Sequence, residues 1–490
     1  YNKDFGNHHF KVMAGFNQES SYQETLDTYS YNQAVLDVPA MSSGTGTIKA
    51  TDSYSEYAIR GGFFRVNYNY LDKYLLEVNG RYDGSSKFPK SSRFGFFPSV
   101  SAGWQIAQER FMNSTRHWLD GLKLRASYGV IGNQNINPYT FTPSMSVNNK
   151  ATSWIIDDTY VTSISSLPAL VSQNFTWEKV GTINVGLDVN LFNNRLSGVF
   201  EWYQRNTNGM LAPGVQLPAV VGASAPYQNT ADMRTRGWEL SLNWRDQIGK
   251  VGYRIGFNLS DYKSEIIKYD DNAATKLLSS YYPGQTLGEI WGYVVDGYYT
   301  VDDFVDTSSW QLKEGVTSIN GYNVRPGDVK FKNLRDDDTS TNVITSGDNT
   351  FDNPGDRKVI GNTTPRYQYG INLGMNYAGF DLNVILQGTG KRDYWISNVL
   401  TFPMNGDNFV PLFEGLSDYW MPKDPDNGDW SAVNPNAKYP RIYGNRGNSG
   451  SNLRQSDKYL SDASYLRIKN ITLSYKLPKK WVNQIFLNQM

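Results

Sequence analysis

Three histidines, His8, His9 and His117, are the first candidates for acid–base chemistry in this 490-residue chain. No catalytic set forms around them. His8 and His9 open an alternating stretch, and His117 stands in a short connection, which suits solvated or interfacial rings. The many serines include none in a nucleophile-elbow pattern. No glycine-rich motif follows a strand and opens a helix, so no nucleotide site is assigned. Catalytic and cofactor-binding residues are therefore expected to be absent. The segment 327–361, GDVKFKNLRDDDTSTNVITSGDNTFDNPGDRKVIG, is rich in carboxylates. Other long polar stretches hold Trp154, Trp177, Trp310, Trp420 and Trp430, with Tyr281 and Tyr282. Aromatic faces stack on sugar rings and also bury against partner proteins. Packing within a loop accounts for each ring taken singly, so no substrate-binding residue is named.

The elements that must position these groups repeat about six times. An alternating strand meets a short polar turn, a second alternating strand follows, and then a long loop. Val185, Leu187, Val189 and Leu191 alternate with Asn184, Gly186, Asp188 and Asn190, turn at FNNR, and return as Leu196, Gly198, Phe200 and Trp202. Phe10, Val12, Ala14 and Phe16 form the first such strand. Phe64, Val66, Tyr68 and Tyr70 turn at LDK into Leu76, Val78, Gly80 and Tyr82, and Val100, Ala102, Trp104 and Ile106 are followed by Leu124, Ala126, Tyr128 and Val130. Trp238, Leu240, Leu242 and Trp244 are answered by Val251, Tyr253, Ile255, Phe257 and Leu259. Ile371, Leu373, Met375 and Tyr377 turn at Ala378-Gly379 into Phe380, Leu382, Val384 and Leu386. A last strand spans about 465–477, and its alternation slips near Asn470, which predicts a β-bulge.

About twelve strands result, each near the ~9–11 residues that cross a tilted bilayer path. Short connections (71–73, 107–122, 192–195, 245–250, 378–379, 478–483) take turns with long ones (18–56, 84–93, 132–178, 206–234, 262–366, 390–462). The pattern predicts an all-β, transmembrane antiparallel β-barrel with short periplasmic turns and long extracellular loops. Rings at the short-turn ends, among them Tyr70, Tyr74, Phe192, Trp244, Tyr253, Tyr377 and Phe380, would form an aromatic girdle. The opposite face carries Arg65, Glu77, Arg81, Arg125, Asp188, Glu201, Glu239 and Arg254. A soluble sandwich or propeller also alternates, but it does not call for short and long connections in turn.

The balance of 47 Lys and Arg against 47 Asp and Glu argues against nucleic acid as the main partner. The absence of cysteine excludes a disulfide scaffold and a thiolate metal site. Mean hydropathy is −0.53, and no apolar run is long enough for a spanning helix. The 34 Tyr and 13 Trp suit a protein with two membrane interfaces. The chain opens on Tyr1 and closes on Met490 inside IFLNQM, and both ends read as cuts in a longer chain.

The stretch RYDGSSKFPKSSRFGFFPSVSAGWQIAQERFM (81–112) resembles SusC/RagA-like TonB-dependent transporters. So do LKLRASYGVIGNQNI, WEKVGTINVGLDVNLFNNRLSGVFEWYQRNTNGML and NTADMRTRGWELSLNWR. GEIWGYVVDGYY, DRKVIGNTTPRYQYGINLGMNYAGFDLNVILQG and SDASYLRIKNITLSYKLPKKW complete the set, in the family's order and over most of the chain.

The resemblance implies a 22-stranded barrel closed by an N-terminal plug, in the outer membrane of a Gram-negative, Bacteroidetes-type bacterium. It implies a SusD-like surface lipoprotein as a lid, glycan or peptide cargo, and energy delivered by TonB through the plug. Residues 1–490 correspond to the later part of the barrel, without the plug or the final strands. The function expected is import of oligomeric nutrients, glycan first and peptide second, with no enzymatic step. A passive barrel or adhesin and an outer-membrane hydrolase are the alternatives. In the family, the region of 327–361 often forms a calcium loop. Asp328, Asp337 and Asp356-Arg357 match that pattern, whereas Asn333 replaces an acid and Arg335 occupies a ligand position. A cation in place of a ligand makes a solvated acidic loop the expected outcome, with no resident cofactor.

Overall fold

The computed structural model describes residues 1–35, 37, 40–144, 168–172, 175–335, 342–396, 413–443 and 450–478, with the backbone alone for short strand segments between 147 and 165. Among the described residues, thirteen strands lie in one sheet whose order is the chain order. Strand β1 is Asn2–Phe5 and β2 is His8–Ser30. Next come β3 (Ile48–Tyr70), β4 (Tyr74–Ser85), β5 (Phe94–Gln105) and β6 (Leu119–Asn133). They are followed by β7 (Glu178–Leu191), β8 (Leu196–Pro213), β9 (Tyr227–Ile248) and β10 (Val251–Tyr269). The last three are β11 (Arg366–Tyr377), β12 (Phe380–Lys391) and β13 (Tyr465–Tyr475). Apart from the four-residue β1, these are the twelve strands that the alternation predicts. Two compact units divide the chain, Tyr1–Asn193 with Glu201–Arg234, and Asn194–Phe200 with Thr235–Met490.

In the first unit, register converts alternation into rows. Val12, Val66, Val78, Val100, Tyr128 and Ile183 stand opposite one another from β2 to β7. The adjacent row is Lys11, Asn67, Glu77, Ser101, Ser127 and Asn184. Neighbouring rows point to opposite faces, so one face is apolar and meets lipid, while the other is polar. At the short-turn end His8, Tyr70, Tyr74 and Trp104 share a row, as a girdle requires. The turn there holds Leu71 and Asp72 at φ 56° and 55°, and Phe192, Asn193 and Asn194 repeat the left-handed geometry between β7 and β8. Primed turns of this hand match the strand twist.

The second unit shows the same rows. Ile255, Leu373, Val384 and Ile471 align, beside Arg254, Gly374, Asn383 and Thr472. Its short-turn end is the row Tyr377, Phe380 and Tyr475, with the last two rings 4.5 Å apart. The expected bulge is present. Ile385 pairs with Asn470 and Leu386 with Ile468, so Lys469 has no partner across the ladder. That extra residue accounts for the slip in the sequence pattern.

Two of the long connections are much shorter than the pattern suggests. The stretch 18–56 is mostly a continued hairpin, paired from Asn17↔Gly61 out to Ser30↔Ile48. The 206–234 connection shrinks because β8 runs to Pro213 and β9 starts at Tyr227. Beyond the bilayer both faces of a hairpin meet water, so nothing enforces alternation there. Of the 478–483 turn, residues 479–483 lie outside the described residues.

Candidate functional site

Each unit carries a packed extracellular loop cluster and a polar, lumen-directed strand face. In the first unit the long-loop Trp177 is 5% exposed, against Phe88, Phe97 and Phe175. Its indole Nε1 donates to the Arg93 carbonyl at 2.9 Å. This ring is a loop core, and Trp154 lies outside the described residues. On the polar face, Arg125 reaches Asp188 at 3.1 Å and also bonds Glu201, while Arg81 meets Asp83 at 2.9 Å. Arg125 is thus paired across strands with Asp188 and Glu201, and Arg81 with Asp83 two residues along β4, groupings that residue types alone do not reveal.

In the second unit the described residues of the loops 270–365 and 392–464 form one packed layer. Its root is a fork. The Arg366 guanidinium bonds both oxygens of Asp261, a carboxylate only 7% exposed, where β10 and β11 part. Beside it Tyr367 sits at φ 53°, a left-handed backbone that non-glycine residues seldom adopt. Above the root, Tyr299, Phe331, Val329 and Ile344 are fully buried in a core with Tyr293 and Phe304. Leu416, Tyr439 and Tyr459 form a second core from the later loop.

Asp328 ties the two loops together. It is 1% exposed and accepts from the Arg325 N–H at 2.8 Å, the Tyr443 hydroxyl at 2.6 Å and the Asn452 amide at 2.9 Å. Asn452 also accepts from the Val329 N–H at 2.8 Å. Burial pushes the Asp328 carboxyl above its ordinary range, and the three donors oppose that rise. Asp356, equally buried, accepts from the backbone of Leu334, Arg335 and Thr345. A cation beside either carboxylate would face N–H or O–H hydrogens, so these two, as placed, do not fit a calcium ligand set. Asp337 lies outside the described residues. Arg357 instead donates to Pro354, Asn349 and Ser346.

Trp420 is 3% exposed and lies over Gly327, whose φ is 90°. Any side chain at Gly327 would run into the indole. Trp310 and Trp430 meet edge to face at 5.0 Å across the two loops. Arg325 lies 5.6 Å from the Trp310 ring and Arg441 5.0 Å from Trp430. Of the residues read as loop aromatics, Tyr282 is also buried, with its hydroxyl on Glu289, and Tyr281 is half exposed. Most of these rings therefore build the layer, and Trp310 and Trp430 form its cationic-aromatic seam.

Lys458 is a cost within the layer. Its ammonium sits 4.5 Å from the Tyr298 ring, and burial pulls it down to about 8 from 10.5. Below pH 8 the folded layer holds a charge it disfavours. As pH rises from 8 to 10.5 that penalty is relieved, and above 10.5 it is gone. Lys458→Met is expected to raise amide-exchange protection at 452–462 at pH 7, by on the order of 2 kcal/mol. The gain should shrink by pH 9.5. Equal protection of variant and parent at pH 7 would refute it.

Residues 1–335 match the family model described as TonB dependent receptor-like, beta-barrel. TonB-dependent receptor P3 of Formosa agariphila is 28% identical over 504 residues, which cover 99% of this chain and 45% of that protein. TonB-dependent receptor SusC of Bacteroides thetaiotaomicron is 27% identical over 502 residues, covering 99% and 44%. The chain therefore spans about half the length of the curated relatives it matches. Among solved structures, the RagAB peptide importer in its closed-closed state superposes with a TM-score of 0.75 at 23% identity, over 100% of this chain and 49% of that one. That likeness shows the fold. The chain is a SusC/RagA-like member of the TonB dependent receptor-like β-barrel family, an outer-membrane protein of a Gram-negative bacterium.

Proposed function

We propose that this chain is the later barrel part of a TonB-dependent importer of oligomeric nutrients, glycan or peptide, that works with a SusD-like surface lipoprotein. The observation that carries the reading is the second unit's loop layer, in which two long loops fold around cores of their own and meet through Asp328. Loops of this length with an ordered interior are a binding surface rather than a tether. The relatives add weight through their names, since one is called SusC and a structure of similar fold is called a peptide importer. The mechanism is gated passage without bond-making. Lid and loops hold the cargo, and a plug, pulled through TonB, opens the lumen. The charge pairs of the polar face, Arg125 with Asp188 and Glu201 among them, give a plug a surface on which those ions are already partnered.

The test is uptake of labelled oligosaccharide and peptide pools by cells carrying the full-length protein. Removal of the cognate lipoprotein, or of TonB, should reduce uptake to background while the barrel remains folded. Normal uptake in cells that lack every SusD-type lipoprotein would leave a simple pore as the better account.

A further inference from the structure

The apolar face of the first unit ends in a basic cavity. Four rows beyond the valine row, on the same face, stand Phe16, Gly62, Tyr82 and Phe96, with the three rings 52–68% exposed. The next row on the same face is Gln18, Arg60, Gly84 and Phe94. No register shift intervenes in the β2–β3 pairing, so Arg60 keeps the lipid-side parity of Phe64 and Val66. Tyr82 stacks on Phe94 at 5.3 Å, and the Arg60 guanidinium lies 5.3 Å from the same Phe94 ring. The turn between β4 and β5 brings Lys90 and Arg93 to this row. Together they enclose a cavity of about 370 Å³ lined by Arg60, Lys90, Arg93, Gln18 and Ser86, with no carboxylate among its walls.

Depth fixes what such a cavity meets. From the Tyr70–Tyr74 row at the short-turn end to the Arg60 row is ten residues. At ~3.3 Å per residue and a tilt of ~40°, that is about 25 Å, the height of an outer-membrane apolar band. The aromatic row lies just inside that limit and the three cations just outside it. Cations at this level face the charged headgroups of the outer leaflet, not the lumen and not the cargo.

We propose that Arg60, Lys90 and Arg93 form a binding site for a phosphate-bearing headgroup of an outer-leaflet lipid. Arg60 supplies fork donors for phosphate oxygens, Arg93 supplies the terminal nitrogens left by its 3.4 Å bond from Nε to the Phe88 carbonyl, and Lys90 supplies a point charge. Phe16, Tyr82 and Phe96 would seat the adjoining acyl and sugar region. The site would hold an annular lipid against the strands β2 to β5.

Native mass spectrometry of the full-length protein in lipid nanodiscs can test this, with diphosphorylated lipid A as probe and its fully dephosphorylated counterpart as control. The phosphorylated probe should bind the parent protein, and R60Q/K90Q/R93Q should weaken that binding about a hundred-fold. Inorganic phosphate at millimolar concentration should not displace it. Undiminished binding to the triple variant would overturn the proposal, and so would full displacement by inorganic phosphate, which would mark a free-anion site. Should the triple variant fail to insert, the lipid pair decides on the parent protein alone. Equal retention of phosphorylated and dephosphorylated probes would then overturn it.

Discussion

Asp328→Ala in the full-length protein is expected to open the loop layer around residue 328 while leaving the strands folded. The carboxylate is buried and takes three donors, the Arg325 N–H, the Tyr443 hydroxyl and the Asn452 amide. Truncation strands all three, and an unsatisfied buried donor costs about 1–3 kcal/mol. Some relief comes from entering water, so the expected loss is about 3–5 kcal/mol of protection against amide exchange at 325–331 and 450–456. Tyr443→Phe removes one donor and leaves the carboxylate two, so its cost should be about 1 kcal/mol. Neither loss should depend on calcium or a chelator. Unchanged protection in Asp328→Ala would show that the loops are held elsewhere. A calcium-dependent rise in the parent that vanishes in Asp328→Ala would instead give this carboxylate the metal-binding role that the family resemblance suggests.

Leu373→Arg should impair assembly far more than Asn372→Arg, although the two positions are adjacent. Leu373 lies in the row with Ile255, Val384 and Ile471, whereas Asn372 faces the other way beside Gly256 and Ile385. Leu373 is four residues from the girdle residue Tyr377, which places it about 10 Å deep, close to mid-membrane. An arginine facing lipid at that depth costs about 2–4 kcal/mol. On the polar face an added cation meets water and other polar groups. Heat-modifiable, folded protein recovered from outer membranes should fall several-fold for Leu373→Arg and little for Asn372→Arg. Equal recovery of the two would mean that the apolar rows do not face lipid.

The strands were legible wherever lipid imposes a period. Val12, Val66, Val78 and Val100 each sit in an alternating run, and register brings them into one row. The bulge at Lys469 was legible for the same reason, because a missed beat is visible only against a regular one. The outer halves of β2 and β3 carry no such beat. Tyr22 faces Glu56, and Leu26 faces Asp52, with water on both sides. The loop layer was legible only as length and composition. Its core joins Tyr299 to Ile344, and its hub joins Asp328 to Asn452, through contacts that follow no period. Single tryptophans were ambiguous on their own. Trp420 covers Gly327, a relation visible only once two distant segments meet.

The chain-order sheet and the Asp328 hub differ in how far apart in sequence their partners lie, and this bears on the order of folding. Every strand pairs with the strand before it, and several of those links are turns of two to four residues. Such pairings close small loops and carry little entropic penalty. The bond between Val329 and Asn452 spans 123 residues and that between Asp328 and Asn452 spans 124. Between them lie β11 and β12, which must be in place before those partners are neighbours. Strand pairing can therefore proceed hairpin by hairpin, and the external layer is the last element to lock. A late-locking layer is also the first to release. Its opening and closing can run through many cycles while the hydrogen-bonded wall stays intact, which is the separation of timescales that a gate needs.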